Sequence, residues 1–190
     1  MSAGRGTRTP PRPPTRERLH ARALRYLERF AATEAHLRRV LLRRALRDAE
    51  ALGLEPTPVR CLVDEVVARV VAAGLIDDRL FAQGRARRLA EGGRSPPRIR
   101  AALAAKGLGA EAVTQALERL GEEQGDVELA AAIAYARRRR LGPWRPADAR
   151  AAGLEAKDLA GLARAGFSYR VARLVVDAED PEALDARAAG

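Results

Sequence analysis

Residues 43–46 read Arg-Arg-Ala-Leu, residues 105–108 read Ala-Lys-Gly-Leu, and residues 164–167 read Arg-Ala-Gly-Phe. The three stretches begin 62 and then 59 residues apart. Each stretch is predicted to end an amphipathic helix, and a second apolar stripe with helical spacing follows each of them. A likeness that returns at a nearly constant distance indicates a repeat, so the chain is predicted to use one helical unit three times.

The apolar residues around these stretches support the repeat. In the first two copies they stand at the same spacing, and in the third copy the spacing is looser. Unrelated amphipathic helices often share such spacings, so a chance likeness is the alternative interpretation. The compared residues are Leu37, Leu41 and Leu46, then Ile99, Leu103 and Leu108, and finally Leu159, Leu162 and Phe167.

Helical periodicity continues along most of the chain, and no segment alternates between apolar and polar residues with period two. We therefore predict an all-α fold with eight or nine helices and no sheet. A unit of three short helices buries little apolar surface alone, so neighbouring units must stack. The predicted product is an elongated, curved array of three tandem three-helix repeats.

Proline, glycine and charge mark the predicted domain boundaries. Residues 1–16 form a basic, proline-rich arm that we expect to be disordered. The three repeats are predicted to occupy residues 17–76, 77–122 and 123–178. Residues 179–190 form an acidic C-terminal tail, whose charge is suited to screening a basic site when that site is empty.

The composition excludes several classes of protein. The apolar runs are far shorter than the roughly 20 residues of a transmembrane helix, and the N-terminal segment lacks the apolar centre of a signal peptide. One cysteine and two histidines cannot build a four-ligand zinc site or an internal disulfide. We therefore expect a cytoplasmic protein with no metal, no other cofactor and no membrane contact, and we assign Cys61 to helix packing.

Local signals place the turns between helices. Gly74 is predicted to end a valine-rich helix, and Asp77 to cap the next one, with Ile76 and Phe81 forming a hydrophobic staple across the cap. Asp77 and Asp78 also allow a catalytic or metal-binding interpretation, which we reject because adjacent helical side chains diverge by about 100°. No residue is predicted to be catalytic. The predicted structural motif consists of Gly74, Asp77, Asp78, Phe81, Gly107 and Gly166. Residues 48–58 are predicted to be a loop.

Positive charge dominates the chain. The net charge is +10, and the 35 basic residues include only two lysines. Arginine forms bidentate hydrogen bonds with phosphate and carboxylate groups, so the partner is predicted to be anionic. A solvated helix face is the alternative interpretation of the same residues. The candidate binding residues are Arg85, Arg88, Arg94, Arg98, Arg100, Lys106, Arg137, Arg138, Arg139 and Arg140, with Trp144 and Tyr169 as candidates for stacking on bases.

Four segments together resemble the RecX family. Residues 70–82 read Val-Val-Ala-Ala-Gly-Leu-Ile-Asp-Asp-Arg-Leu-Phe-Ala, and residues 99–108 read Ile-Arg-Ala-Ala-Leu-Ala-Ala-Lys-Gly-Leu. Residues 137–144, Arg-Arg-Arg-Arg-Leu-Gly-Pro-Trp, and residues 166–169, Gly-Phe-Ser-Tyr, resemble the C-terminal unit of that family. The likeness extends over most of the chain and leaves out both tails.

The resemblance implies a modulator of the RecA recombinase. Such a protein lies in the groove of the RecA–DNA filament, blocks its growth or promotes its disassembly, and so lowers ATP hydrolysis, strand exchange and SOS co-protease activity. The implied partners are the RecA filament and, weakly, single- and double-stranded DNA, with no catalytic residue and no cofactor, and we expect a monomer. From the residues alone, a stand-alone nucleic-acid-binding helical repeat protein is the alternative.

Overall fold

Helices make up most of the described chain. The computed structural model describes residues 10–146 and 153–189, and within these ranges lie ten α-helices, one 3₁₀ turn and no strand. The all-α prediction is confirmed, whereas the predicted number of helices is too small. None of the helices in these ranges is both long and apolar enough to cross a bilayer. The chain divides into two compact units, Met1–Asp77 and Asp78–Gly190.

The first unit packs three helices, α1 (Arg16–Leu27), α2 (Glu34–Ala51) and α3 (Pro56–Ala72). Thr15 and Thr33 precede the first two helices, and each hydroxyl accepts a hydrogen bond from a backbone N–H of the first turn. The predicted valine stripe of α3 is confirmed, because its valines are buried against leucines and alanines of the other two helices. The core consists of Leu19, Ala23, Leu37, Leu41, Ala45, Ala49, Val59, Val63, Val66, Val67, Val70 and Ile76.

The second unit contains seven helices and the 3₁₀ turn. The helix α7 contacts α4 and α6 as well as α9 and α10, so it joins the two halves of the unit. The elements are α4 (Asp78–Glu91), α5 (Pro96–Ala104), α6 (Ala110–Gln124), α7 (Val127–Arg139), the 3₁₀ turn (Gly142–Trp144), α8 (Glu155–Arg164), α9 (Tyr169–Val176) and α10 (Pro181–Ala189).

Small side chains allow α4 to lie close to its neighbours. Ala82, Ala86 and Ala90 repeat every fourth residue along α4, and all three are buried in one core with residues of α5 and α6. Helix separation depends on the size of the side chains at the contact. An alanine stripe therefore lets α4 approach its partners closely, and α4 becomes the central helix of the first half of this unit.

The end of α2 corrects the first copy of the predicted repeat. Residues 43–46 lie inside α2, which continues to Ala51. The helix ends at a turn in which Gly53 has a φ of +68°. In that turn the N–H of Leu54 donates to the carbonyl of Ala49 at 2.9 Å. The helix end predicted at residues 43–46 is therefore wrong. These residues have the same apolar spacing as the other two copies, but Ala45 stands where the other copies have a glycine.

The helix ends predicted at residues 105–108 and 164–167 are confirmed. Gly107 and Gly166 have φ values of +85° and +88°. The residue after each glycine donates its N–H to a carbonyl five positions earlier, as Leu54 does. This is the Schellman arrangement, in which a left-handed residue satisfies the last carbonyl groups of a helix. The position in the first copy that matches these glycines is Gly53.

The acidic C-terminal segment contains a helix that the sequence analysis does not predict. In α10, Leu184 and Ala188 are buried in the core that also contains α7 and α9. Asp185 of the same helix pairs with Arg137 of α7 at 2.7 Å. Leu184 is the only large apolar side chain in this short acidic segment and the other apolar residues are alanines, so the periodic signal is weak and packing against α7 accounts for this helix.

One side chain that is predicted to take part in helix packing, Cys61, is exposed instead at the surface of α3. Phe30 follows the end of α1 at Leu27 and is 52% exposed. The loop predicted over residues 48–58 is also too long, since only residues 52–55 lie between α2 and α3.

The predicted N-terminal arm is described only in part. Residues 1–9 lie outside the described ranges, and residues 10–15 lead into α1 without regular structure. Residues 147–152, which belong to the linker predicted between α7 and α8, lie outside as well.

The contact between the α4–α5 turn and α7 predicts a large effect of one added methyl group. Gly93 has a φ of +70°, and a Cβ there would lie 2.7 Å from the backbone nitrogen of Tyr135 and 2.8 Å from its Cα. We expect Gly93→Ala to lower the free energy of unfolding by about 2–4 kcal/mol, because it combines left-handed strain with overpacking. Urea denaturation followed by far-UV circular dichroism measures this change.

Gly153→Ala is the matched control in the same unit. Gly153 is also left-handed, with a φ of +64°, and no described atom lies within 4 Å of a Cβ placed there. Gly153→Ala should therefore lower the free energy of unfolding by only about 1–2 kcal/mol, the cost of a left-handed residue with a Cβ. Equal losses in the two variants would show that the close contact with Tyr135 contributes nothing.

Candidate nucleic-acid interface

Two arginine groups of the second unit meet where the α4–α5 turn contacts α7. Gly93 packs against the backbone of Tyr135, and Arg94 follows Gly93 directly in the chain. The guanidinium carbon of Arg139 lies 5.9 Å from the centre of the Tyr135 ring. The contact at Tyr135 therefore places the backbone next to Arg94 beside a residue whose ring contacts Arg139.

A residue near Tyr169 in the chain packs against Tyr135. The rings of Tyr135 and Phe167 are 5.7 Å apart and tilted relative to each other, and Tyr169 begins α9 two residues after Phe167. Phe167 is buried, whereas Tyr169 is 72% exposed. An exposed aromatic ring is suited to stacking on an unpaired base. We call Arg94, Arg139 and Tyr169 the Tyr135 surface.

Arg98 has a structural partner at a junction between α5 and α8. Its guanidinium donates to the main-chain carbonyl of Arg164, and the hydroxyl of Ser95 donates to the carbonyl of Ala165 at 2.7 Å. Both acceptors belong to the end of α8, where carbonyl groups lack intrahelical donors. The junction places the main chain of Arg164 next to Arg98, and the side chain of Arg164 is exposed. Sequence reasoning missed Arg164, although it opens the third copy of the repeated stretch.

The remaining basic residues of α4 and α5 differ in exposure. Arg88, Arg94 and Arg100 are exposed, and none of them forms an ion pair with another described residue. Arg85 is half-buried, and its Nε is buried without a hydrogen-bond partner in the described structure. Lys106 is half-buried in the turn after α5. The three exposed arginines are therefore the ones best placed to meet an anion.

Part of the positive charge in the arginine run at the end of α7 already has a partner within the protein. Arg137 pairs with Asp185, and its guanidinium carbon lies 5.5 Å from the centre of the Trp144 ring. Arg138 is exposed and forms no ion pair within the described ranges. Trp144 is partly buried against the core of α7 and α9. Of the two predicted stacking residues, Tyr169 is therefore the exposed one.

Arg140 adopts the left-handed conformation that ends α7. Its φ is 56° and its ψ is 51°, and it is the only residue other than glycine with a positive φ in the described part of the chain. The N–H of Leu141 donates to the carbonyl of Ala136 at 2.9 Å, as in the glycine turns. The position favours glycine, so an exposed arginine there indicates a use for its charge that offsets the strain.

The buried carboxylate of Asp158 holds the chain as it leaves the arginine run. Asp158 is 2% exposed, and one of its oxygens accepts from the backbone N–H of Gly142 at 2.9 Å. The guanidinium of Arg145 donates to both carboxylate oxygens. A buried charge requires such partners. Sequence reasoning missed this role because Asp158 looks like an ordinary acid in the first turn of a helix.

The predicted cap residues lie at the boundary between the two units. Gly74 has a φ of +71°, and Asp77 directly precedes Asp78, the first residue of α4. Ile76 is buried in the core of the first unit, and Phe81 packs against the α4–α6 core of the second. Among the described residues, no cluster of three or more His, Cys, Asp or Glu could hold a metal ion.

Comparison with known proteins decides the family. A regulatory protein RecX of Myxococcus xanthus (strain DK1622) is 40% identical over 155 residues, and the alignment covers 82% of this chain and 82% of that protein. The chain belongs to the RecX family. A second regulatory protein RecX, from Agrobacterium fabrum (strain C58 / ATCC 33970), is 30% identical over 166 residues, which cover 86% of this chain and 84% of the relative.

Two further comparisons agree with the RecX assignment. Residues 77–117, which run from just before α4 into α6, match the family model described as RecX, second three-helix domain. A crystal structure of a regulatory protein RecX superposes with a TM-score of 0.56 at 23% identity, covering 86% of this chain and 72% of that one. At this identity the structural match supports the all-helical fold.

The α5–α8 junction of this RecX chain predicts a coupling between two positions. A Cβ on Gly166 would lie 2.8 Å from the Ser95 hydroxyl oxygen. Ser95→Ala should lower the free energy of unfolding by about 1–3 kcal/mol, because the buried carbonyl of Ala165 loses its donor. Gly166→Ala should cost less in the Ser95→Ala background, where that oxygen is absent.

A double-mutant cycle measured by urea denaturation tests this coupling. We expect an interaction free energy of about 1 kcal/mol between the two positions. Purely additive losses would mean that the serine hydroxyl does not occupy the space next to Gly166.

The conformation of Arg140 predicts a stabilising substitution. Arg140→Gly should raise the free energy of unfolding by about 0.5–1 kcal/mol, because glycine adopts the left-handed region without strain. Arg140→Ala keeps a Cβ and should give no such gain. Thermal and urea denaturation of both variants separate the effect of backbone conformation from the effect of charge.

Proposed function

We propose that this RecX-family chain is a negative regulator of the RecA recombinase. In this proposal it binds the groove of the RecA–DNA filament and inhibits filament growth, ATP hydrolysis and strand exchange. Family membership supports a regulatory role, since both relatives carry the name regulatory protein. The structural observation that carries the proposed binding mode is the packing of Gly93 against Tyr135, whose ring also lies under the guanidinium of Arg139.

The Tyr135 surface has the chemistry that a nucleoprotein groove requires. Arginine binds both phosphate groups and carboxylates through paired hydrogen bonds, so the same side chains suit DNA and an acidic protein surface. Tyr169 adds an exposed ring whose area can be buried on binding, and tyrosine and arginine are the side chains that most often dominate binding energy. The proposed regulation requires binding alone and no bond-breaking step.

A stand-alone nucleic-acid-binding protein is the second candidate. The exposed arginines without ion pairs and the exposed ring of Tyr169 also suit a single strand that follows a basic surface. Such a protein would compete with RecA for DNA instead of acting on the filament.

Titration into RecA filaments on single-stranded DNA separates the two candidates. The filament proposal expects inhibition of ATP hydrolysis at far fewer molecules than RecA subunits, because one bound regulator affects many neighbours. Inhibition that begins only when the DNA is saturated would favour the second candidate. Unchanged ATP hydrolysis at every dose would contradict the filament proposal.

Charge reversal on the Tyr135 surface should weaken the inhibition. We expect Arg94→Glu with Arg139→Glu to raise the concentration for half-inhibition at least about tenfold, since one lost hydrogen bond of about 1.5 kcal/mol to a charged group already gives that factor. The measurement is RecA ATP hydrolysis on single-stranded DNA, with circular dichroism to verify folding.

The matched control for this prediction is Arg60→Glu with Arg69→Glu. Both residues are exposed on α3 and form no ion pair in the described structure, so the variant changes the net charge by the same amount on the other unit. If the control weakens inhibition as much as the test variant, total charge rather than the Tyr135 surface is responsible.

A further inference from the structure

A basic cleft lies at the N-terminal end of the first unit, and none of the candidate binding residues selected above lines it. It is formed by the extended segment of residues 10–14, by α1 and by one face of α2, and its volume is about 460 Å³. Its lining contains five arginines and only two acids. The arginines are Arg12, Arg18, Arg22, Arg25 and Arg44, and the acids are Glu17 and Asp48.

Helical spacing explains why the arginines of α1 share the cleft. Arg18, Arg22 and Arg25 are separated by four and then three residues, which places them along one face of the helix at intervals of about one 5.4 Å turn. The guanidinium of Arg18 donates to the carbonyl of Pro13 at 3.3 Å, and this bond fixes the extended segment against α1. The cleft therefore presents a row of positive charges with an ordered wall beside it.

Little of this positive charge is neutralised within the described chain. Arg44 pairs with Asp48 at 3.0 Å, whereas Arg12, Arg22 and Arg25 form no ion pair among the described residues. Burial lowers the pKa of Arg22 and the neighbouring charges of Arg44 and Arg25 lower it further, while Asp48 partly opposes them, so the net shift is downward. Like charges gathered at a partly buried position reduce stability, and such local conflicts are characteristic of functional sites.

We infer that this cleft binds the phosphates of a nucleic-acid strand, with Arg22 and Arg25 as the central contacts and Arg12 at the rim. A row of arginines one helical turn apart meets a polyanion at several points, whereas a single carboxylate would engage only one of them. Arginine also matches the geometry of phosphate oxygens with two parallel hydrogen bonds. The apolar lining contributed by Pro10, Pro13 and Leu19 can pack against the sugars of the same strand.

This inference goes beyond the proposed action on RecA and does not depend on it. The cleft belongs to the first unit, whereas the Tyr135 surface belongs to the second. Its test uses the full chain and DNA without RecA. Loss of filament inhibition and loss of DNA binding at the cleft are thus measured separately.

The experiment compares two doubly substituted full-length proteins. Arg22→Gln with Arg25→Gln removes the central contacts, and Arg60→Gln with Arg69→Gln removes the same charge from the exposed face of α3. The probe is a fluorescein-labelled single-stranded oligothymidylate, and its affinity is measured by anisotropy at several salt concentrations. Arg25→Gln alone is a milder second variant, because Arg25 is exposed.

We expect the cleft variant to bind the oligonucleotide at least about fivefold more weakly, and the control to change by less than about twofold. Each lost phosphate contact lowers the slope of log affinity against log salt by about 0.7 for a single strand, so two contacts lower it by about 1.4. The melting temperature of the cleft variant should be unchanged or raised, because removing like charges relieves repulsion.

Three outcomes would overturn the inference. The cleft and control variants could lose affinity equally, which would mean that only total charge matters. Binding could remain unchanged in the cleft variant. Polyglutamate could displace the oligonucleotide from the wild-type protein but not from the cleft variant at equal charge concentration, which would assign the cleft to an acidic protein segment instead.

Discussion

The close approach of the α4–α5 turn to α7 is the contact on which the second unit depends. A glycine at position 93 allows one backbone to lie against another, because any Cβ there would collide with main-chain atoms of Tyr135. The two halves of the unit are joined at this point and again where Ser95 donates to the end of α8. These contacts set the position of the turn that carries Arg94 relative to the helix that carries Arg139.

The sequence carries clear local signals for where helices begin, and weaker ones for where they end. Thr33, Asp126 and Ser168 are residue types that favour the start of a helix, and each side chain accepts a hydrogen bond from a backbone N–H of the first turn. The first repeat stop was placed wrongly, because leucine spacing records the buried face of a helix and not its end. Gly53 carries the signal for that end, since only its conformation reverses the chain after α2.

The candidate site was predictable in composition but not in geometry. Residue counts identify the arginines, and amphipathic spacing identifies the helices that carry them. The pairing of Arg137 with Asp185, the bond from Arg98 to the end of α8 and the burial of Asp158 arise between residues distant in sequence. These contacts determine which arginines are left without an ion pair or hydrogen bond in the described structure. Local sequence patterns carry no signal for contacts between distant residues.

The positions of two singly occurring residues have a practical consequence. The chain contains one cysteine and one tryptophan; Cys61 is exposed on the first unit, and Trp144 lies in the second. A thiol-reactive dye on Cys61 reports on the first unit, and the indole fluorescence of Trp144 reports on the second, both in the unmodified sequence. The natural chain thus carries one spectroscopic probe in each unit, and a partner that binds one unit can be followed there without introducing a new residue.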